Sequence, residues 1–174
     1  MKVLRTTEPD VDKFLVGDII SFELTDGEKV QAMAMKQTDA GMIFILVDCL
    51  KDEERMTDLP GKLNTAILDR FPQDIRDKMI PFADGRKLRL PTEKELFGVN
   101  EYGADEGDAV QQWGPMKDRR NRIAFQGMGG PWEWYWTETP DKDDDRYFAY
   151  VGDDGVANYG NASFSYGVRP AFQI

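Results

Sequence analysis

The fold of this chain is constrained most by short strand-like segments that alternate with turn signals. Residues 16–24 are strand-like and lead into the pair Asp26-Gly27, which favours a tight hairpin. Further along, residues 42–50 form a nearly continuous apolar run, which indicates a strand buried on both faces. We therefore predict an antiparallel β-meander over about residues 14–50.

The middle of the chain changes to a helical period. Leu63, Ile67 and Phe71 recur at the spacing of one helix face, and Asn64 is expected to cap this helix. A helical segment is therefore predicted over about residues 62–98.

The same segment contains the signals that begin and end a second helix. Thr92 and Glu95 fit a capping box, in which each side chain accepts a hydrogen bond from a free backbone N–H. Gly98 is placed to end that helix.

The last third returns to a β pattern. Residues 147–151 and 156–159 flank Gly-Asp-Asp-Gly at 152–155, which has the composition of a hairpin turn. Pro170 predicts that the closing strand lies at an edge or in a terminal position. We therefore predict a β region over about residues 113–174, with short helices between it and the N-terminal meander.

Composition narrows both fold and function. A chain of 174 residues with 41% hydrophobic residues suits a single α+β domain over 1–174. The formal charge of −10 disfavours duplex nucleic acid and anionic membranes as partners. No apolar run is long enough to act as a signal peptide or a membrane span, so we expect cytoplasmic synthesis, with release by lysis and association with a virion as an alternative.

The reactive residue types are scarce. The chain has no histidine, which removes the commonest general base and most transition-metal sites. Its one cysteine, Cys49, lies in the most apolar run and is expected to be a buried structural thiol. No cofactor is therefore predicted.

Three segments together resemble a bacterial and phage family of undefined function with WWLRSP-type and GVRPAL-type signatures. The matching segments are residues 62–71, residues 88–95, and the C-terminal pair YWTETP at 135–140 and GVRPAF at 167–172. Glu138 stands where the family usually has Arg, so the resemblance gives no support to an anion contact there.

This layout is similar to the C-type-lectin-like fold, which implies a compact α+β domain closed by a C-terminal antiparallel sheet. Relatives of that fold include sugar-binding lectins, phage receptor-binding tips, displayed variable proteins and formylglycine-generating-type enzymes. Formylglycine-generating-type enzymes need a pair of cysteines, and iron enzymes of the same fold need histidine ligands. This chain has one cysteine and no histidine. Fold alone does not select among the remaining functions.

An acidic run suggests one candidate metal site. Clustered carboxylates suit Ca²⁺, although a solvated loop explains the same run and the sugar-binding motifs of calcium-dependent lectins are absent. The residues concerned are Asp141, Asp143, Asp144 and Asp145.

An aromatic row suggests a second candidate site. Trp132, Trp134 and Trp136 would share one face of a strand, with Glu133 and Tyr135 on the other. The row would either stack against sugars or belong to the core. At least one of the two faces must be buried.

The stretch 158–166 has the composition of a recognition loop, because it is uncharged and rich in Asn, Ser, Tyr and Gly. An ordinary polar hairpin is the alternative interpretation. In displayed variable proteins of the lectin-like fold, the binding residues lie just before the closing strand. The predicted ligand contacts are Tyr147, Asp154, Asn158, Tyr159, Asn161, Phe164 and Tyr166.

Three functional hypotheses follow. The first is a non-catalytic module that binds a protein or a glycan. The second is a structural or assembly protein of a phage particle, which would form a homo-oligomer. The third is an enzyme of unknown type, with no catalytic residue singled out. Arg169 and Arg89 are predicted to be structural, each paired with a carboxylate or with backbone carbonyls.

Overall fold

The computed structural model describes residues 13–174. The prediction that the first nine residues carry no signal peptide lies outside this range. The strands are β1 (Ile19–Glu23), β2 (Lys29–Gln37), β3 (Met42–Leu46), β4 (Glu54–Arg55), β5 (Ala124–Phe125), β6 (Trp132–Glu133), β7 (Tyr135–Pro140), β8 (Tyr147–Val151), β9 (Ala157–Asn161), β10 (Ser165–Tyr166) and β11 (Ala171–Gln173). The α-helices are α1 (Leu59–Lys62), α2 (Gln73–Lys78) and α3 (Glu93–Phe97), and none of the described helices is long and apolar enough to cross a membrane.

The predicted β-meander is confirmed as the first three strands of a four-stranded antiparallel sheet with the order β1–β2–β3–β11. Gly27 has φ +87° in the first hairpin, a conformation that glycine adopts without strain. Every residue of β3 is buried, as the apolar run predicted. The strand ends at Leu46, earlier than expected, and Cys49 then forms an isolated parallel bridge to Gln126.

The helical segment forms, but it begins earlier than the sequence predicted. Helix α1 starts at Leu59 with Pro60 in its first turn and continues into a π-helical turn, Leu63–Ile67. Asn64 is therefore not an N-cap. Its side-chain amide donates to the Leu88 carbonyl at 2.8 Å, and its oxygen accepts from the Lys87 and Leu88 N–H groups at 2.9 Å.

Helix α3 begins and ends as predicted. Thr92 and Glu95 form the reciprocal capping box, and Gly98 ends the helix in the left-handed conformation at φ +81°. Glu95 also pairs with Arg89 through two hydrogen bonds of 2.6 and 2.8 Å in a buried position. The capping residue therefore also neutralises a buried guanidinium.

The last strand belongs to the same sheet as the N-terminal meander. Strand β11 pairs with β3 at the edge of the first sheet, as Pro170 indicated. Arg169, just before it, donates to the Leu46 carbonyl at 2.7 Å and to the Tyr135 hydroxyl at 2.9 Å. Its predicted structural role is confirmed.

The four-stranded sheet separates two apolar clusters. On β3, Phe44 packs in one cluster and Ile45 in the other, as the alternation of side chains along a strand requires. The C-terminal strands β7, β8 and β9 form a separate antiparallel sheet that also contributes to both clusters. The structure is thus mostly antiparallel sheet with a few short helices.

Candidate functional site

The β8–β9 hairpin forms as predicted and presents two carboxylates. The Gly152 N–H donates to the Val156 carbonyl at 2.9 Å, and Gly155 turns the chain at φ +74°. One Asp154 carboxylate oxygen accepts from the Val156 N–H at 3.1 Å, which fixes the turn locally. Asp153 and Asp154 are both exposed at the tip.

Beside this turn lies a group of packed aromatic rings. Trp134 stacks on Tyr150 with ring centroids 5.6 Å apart and planes inclined by 19°, and Tyr166 meets Trp134 edge-on at 5.5 Å. Tyr150 and Tyr166 are themselves 4.7 Å apart. Tyr150 is buried, whereas Trp134 is 41% exposed, so the group contacts solvent mainly through the indole of Trp134.

A cleft of about 220 Å³ lies between the exposed indole and the hairpin turn. Its walls combine one aromatic surface with carboxylate and amide groups, so a ligand would meet both a stacking face and hydrogen-bonding groups. The lining residues are Trp134, Tyr150, Gly152, Asp153, Asp154, Val156, Ala157 and Asn158.

The cleft carries negative charge that the protein neutralises incompletely. Arg119 donates through Nε to the backbone carbonyl of Asp154 at 2.6 Å, while its Nη2 remains 4.0 Å from the Asp154 carboxylate. Within residues 13–174, Asp153 takes part in no ion pair. Burial raises the pKa of Tyr150, and burial next to Tyr150 raises the pKa of Tyr166 to about 12, so both phenols stay neutral at neutral pH.

The seven predicted contacts do not share one surface. Asp154 and Asn158 line the cleft. Asn158 pairs with Tyr150 across the β8–β9 ladder, whereas Tyr159 pairs with Ala149, so Tyr159 points to the opposite face.

That opposite face carries a second, smaller aromatic group. Tyr159 is 50% exposed, stacks on Tyr102 at 5.3 Å and meets Tyr147 at 6.0 Å. Asn161 pairs with Tyr147 in the ladder and therefore lies on the same side.

The remaining two predicted contacts follow β9. Phe164 is exposed, and Tyr166 is a member of the aromatic group that also contains Trp134 and Tyr150. The predicted seven therefore divide between the cleft, the Tyr159 face and the segment after β9.

The predicted tryptophan row does not form. The chain breaks between β6 and β7 at Trp134, which leaves Trp132 65% exposed and Trp136 fully buried. Glu133 and Tyr135 are buried, so the expectation of one buried face holds. Trp134 was predicted only as part of the row, because the assumed continuous strand gave all three tryptophans the same environment. Tyr150 was not among the predicted contacts.

The acidic run folds as a turn. One carboxylate oxygen of Asp141 accepts from the N–H groups of Asp143 and Asp144, at 2.9 and 3.1 Å. The hydrogen bond from Arg146 lowers the pKa of Asp144 to about 2. Nowhere in the described part of the chain do three or more His, Cys, Asp or Glu side chains form a group that could hold a metal ion. The candidate calcium site of Asp141, Asp143, Asp144 and Asp145 is therefore not formed.

Two titratable side chains, Cys49 and Glu133, are buried close to each other. Burial raises the pKa of the Cys49 thiol far above its ordinary value, so the thiol is inert at neutral pH. Burial, followed by repulsion from Glu53, raises the pKa of Glu133 to about 7.

Three other clefts have different chemistry. The first, of about 340 Å³, lies along the β1–β2 hairpin beside Met128. The second, of about 300 Å³, is lined by apolar side chains and by Glu138, which accepts two hydrogen bonds from Arg86 at 2.9 and 3.2 Å. The third, of about 420 Å³, lies along the loop after α3 and includes Lys94. None of the three has an exposed tryptophan in its lining.

Comparison with known proteins gives one match. A family model described as "Domain of unknown function (DUF6273)" matches residues 62–174, well over half of the chain and all of the cleft. No curated protein and no solved structure matches the chain. The predicted resemblance to a family of undefined function is confirmed at that level, and the chain belongs to the DUF6273 family.

Proposed function

We propose that this chain is a non-catalytic binding module, with a C-type-lectin-like fold, that takes a protein or glycan ligand at the cleft beside Trp134. The observation that carries the proposal is the exposed indole of Trp134, stacked on Tyr150 at the mouth of a polar cleft. Holding a large aromatic side chain partly in water forgoes hydrophobic stabilisation, which a ligand would restore on binding.

Two further features support this proposal. The hairpin turn that supplies the carboxylates is fixed by backbone hydrogen bonds, so the cleft is formed before a ligand arrives. Cys49 and Glu133 are buried and do not line the cleft. The lectin-like fold is supported by the return of β11 to β3, which brings the C-terminal strand back to the N-terminal sheet.

The test is an array of glycans and peptides probed with three forms of the protein. Trp134→Ala removes the indole at the cleft, and Trp132→Ala is the matched control, since Trp132 is also an exposed tryptophan but does not line the cleft. We expect binding by the wild type and by Trp132→Ala, and at least a tenfold loss in Trp134→Ala. Binding that depends on neither tryptophan would overturn the proposal.

A second candidate is an assembly role in a phage particle. Leu15, Val16 and Ile19 are all at least half exposed, next to the edge strand β1. Exposed apolar side chains at a sheet edge favour association with another chain. Sedimentation of the purified protein tests this candidate: a stable oligomer that Ile19→Lys dissociates supports it, and a monomer at high concentration contradicts it.

A further inference from the structure

The carboxylates at the cleft differ from the other turn carboxylates of this molecule. Three surface turns have the sequence Asp-X-Arg, and in each the arginine pairs with the aspartate two residues before it. The pairs are Asp84–Arg86 at 2.7 Å, Asp118–Arg120 at 2.8 Å and Asp144–Arg146 at 2.6 Å. These turns neutralise their own charge.

The turn at the cleft has the same local geometry, but its nearest cation, Arg119, comes from outside the turn. Asp154 accepts from the N–H two residues later, as Asp84, Asp118 and Asp144 do, but the residue at that position is Val156. The guanidinium of Arg119 lies 4.0 Å from the Asp154 carboxylate, which is a long distance for an ion pair. The neighbouring Asp153 forms no ion pair with any residue of the described range. Two carboxylates therefore face the cleft with incomplete neutralisation.

The exposed indole of Trp134 is the second feature of the cleft that favours a cation. An indole face attracts a cation through its quadrupole, and a guanidinium can stack on it while its N–H groups reach a carboxylate. The chain already uses this chemistry internally, because the guanidinium of Arg89 lies 4.6 Å from the centre of the Phe82 ring while it hydrogen-bonds to Glu95. A chain with a net charge of −10 also attracts cations to its surface.

We infer that the cleft accepts a cationic side chain of a partner protein, with the arginine guanidinium as its best fit. This inference rests on the proposed function and narrows it from protein or glycan to protein. A neutral sugar would stack on the indole and donate hydroxyl hydrogen bonds to Asp153 and Asp154, but it brings no charge to neutralise the two carboxylates. An arginine would use the indole and both charges together.

The test measures the binding of N-acetyl-arginine amide by two-dimensional NMR, following the indole N–H of Trp134. The neutral isostere N-acetyl-citrulline amide and a set of methyl glycosides are the matched probes. Asp153→Asn and the double variant with Asp154→Asn remove the charge, and asparagine keeps the oxygen that accepts from the Val156 N–H. Asp153→Asn alone serves if the double variant does not fold.

We expect N-acetyl-arginine amide to shift the Trp134 signal with at least tenfold higher affinity than the citrulline probe. Neutralising the aspartates should weaken arginine binding at least fivefold, and so should raising the salt from 20 to 500 mM, because salt screens exposed charges. Equal binding of both amides would overturn the inference. Glycoside binding at Trp134 that is unchanged by Asp153→Asn would overturn it and leave the proposed function standing, whereas no response of Trp134 to any probe or array ligand would overturn both.

Discussion

Two aromatic groups in this molecule have similar distances between their rings, but only one of them contains a ring that is exposed to solvent. Phe44, Phe71 and Phe172 pack with ring centroids 5.7 Å apart for each contact to Phe172, and all three are fully buried. Trp134 and Tyr150 pack at 5.6 Å, yet Trp134 remains 41% exposed. Ring contacts alone therefore do not distinguish a core from a surface site, and the distinction comes from what covers the outer face.

The covering differs because of strand position. Phe172 lies on β11, between the first sheet and the helical segment, where Phe71 covers it. Trp134 lies in the break between β6 and β7, and its side chain is 41% exposed. The first group should therefore hold the fold together, and the second should be more expendable to it.

The largest effect is expected from Phe172→Ala. Removal of a fully buried phenylalanine leaves a cavity between two other rings, and we expect the free energy of unfolding to fall by about 3–5 kcal/mol. Urea denaturation followed by circular dichroism measures the loss. A loss below about 1 kcal/mol would show that the buried group is not the centre of the core.

A smaller effect is expected from Trp134→Ala. The indole loses its contacts with Tyr150 and Tyr166 but is already partly hydrated, so the expected loss is about 2 kcal/mol. The same denaturation experiment applies. If Trp134→Ala destabilised the protein as much as Phe172→Ala, the indole would have to be assigned to the core.

The contribution of Glu133 to the free energy of unfolding is expected to depend on pH, unlike that of the two aromatic groups. Glu133 lies close to Cys49. The folded protein keeps a proton on Glu133 up to about pH 7, whereas the unfolded chain releases it near pH 4.5. Its contribution to stability is therefore complete below pH 4.5 and is lost as the pH rises to about 7. Because Glu53 is exposed and water screens the pair, we expect a decrease of about 1 kcal/mol rather than the full value of the shift.

Glu133→Gln provides the control for this prediction, because it keeps the shape of the side chain without the titration. The difference in stability between wild type and Glu133→Gln should change across pH 4.5–7 and stay constant above pH 8. A difference that stays constant over the whole range would contradict the raised pKa.

The smallest effect is expected from Trp132→Ala. Its side chain is 65% exposed and pairs only through the short β5–β6 ladder, so the free energy of unfolding should change by less than about 0.5 kcal/mol. A larger change would mean that exposure does not separate the two tryptophans, and Trp132→Ala would lose its value as a binding control.

The sequence predicted the strands and turns well where local signals agree. Asp26-Gly27, the capping box of Thr92 and Glu95, and the edge position of the closing strand all depend on neighbouring residues, and all appear as expected. The start of α1 was missed because Pro60 is as compatible with a first helical turn as with a break. Asn64 was misassigned because its partners at residues 87 and 88 are remote in sequence.

The candidate site was only partly predictable for a similar reason. Asp154 and Asn158 both line the cleft, but only Asn158 belongs to the stretch 158–166 with the composition of a recognition loop. The division of the seven residues between two faces depends on the β8–β9 register, and the exposure of Trp134 depends on a strand break. The break has no signal in the residues immediately around it, and the contact of Tyr159 with Tyr102 depends on residues remote in sequence.

The most direct test of the Trp134 cleft as the binding surface is NMR mapping of the tightest-binding array ligand on the assigned wild-type protein. We predict that the largest shifts lie at Trp134, Tyr150 and residues 152–158, with little change at Phe44 and Phe172. Shifts centred on Tyr102 and Tyr159, on the opposite face of the sheet, would contradict the account.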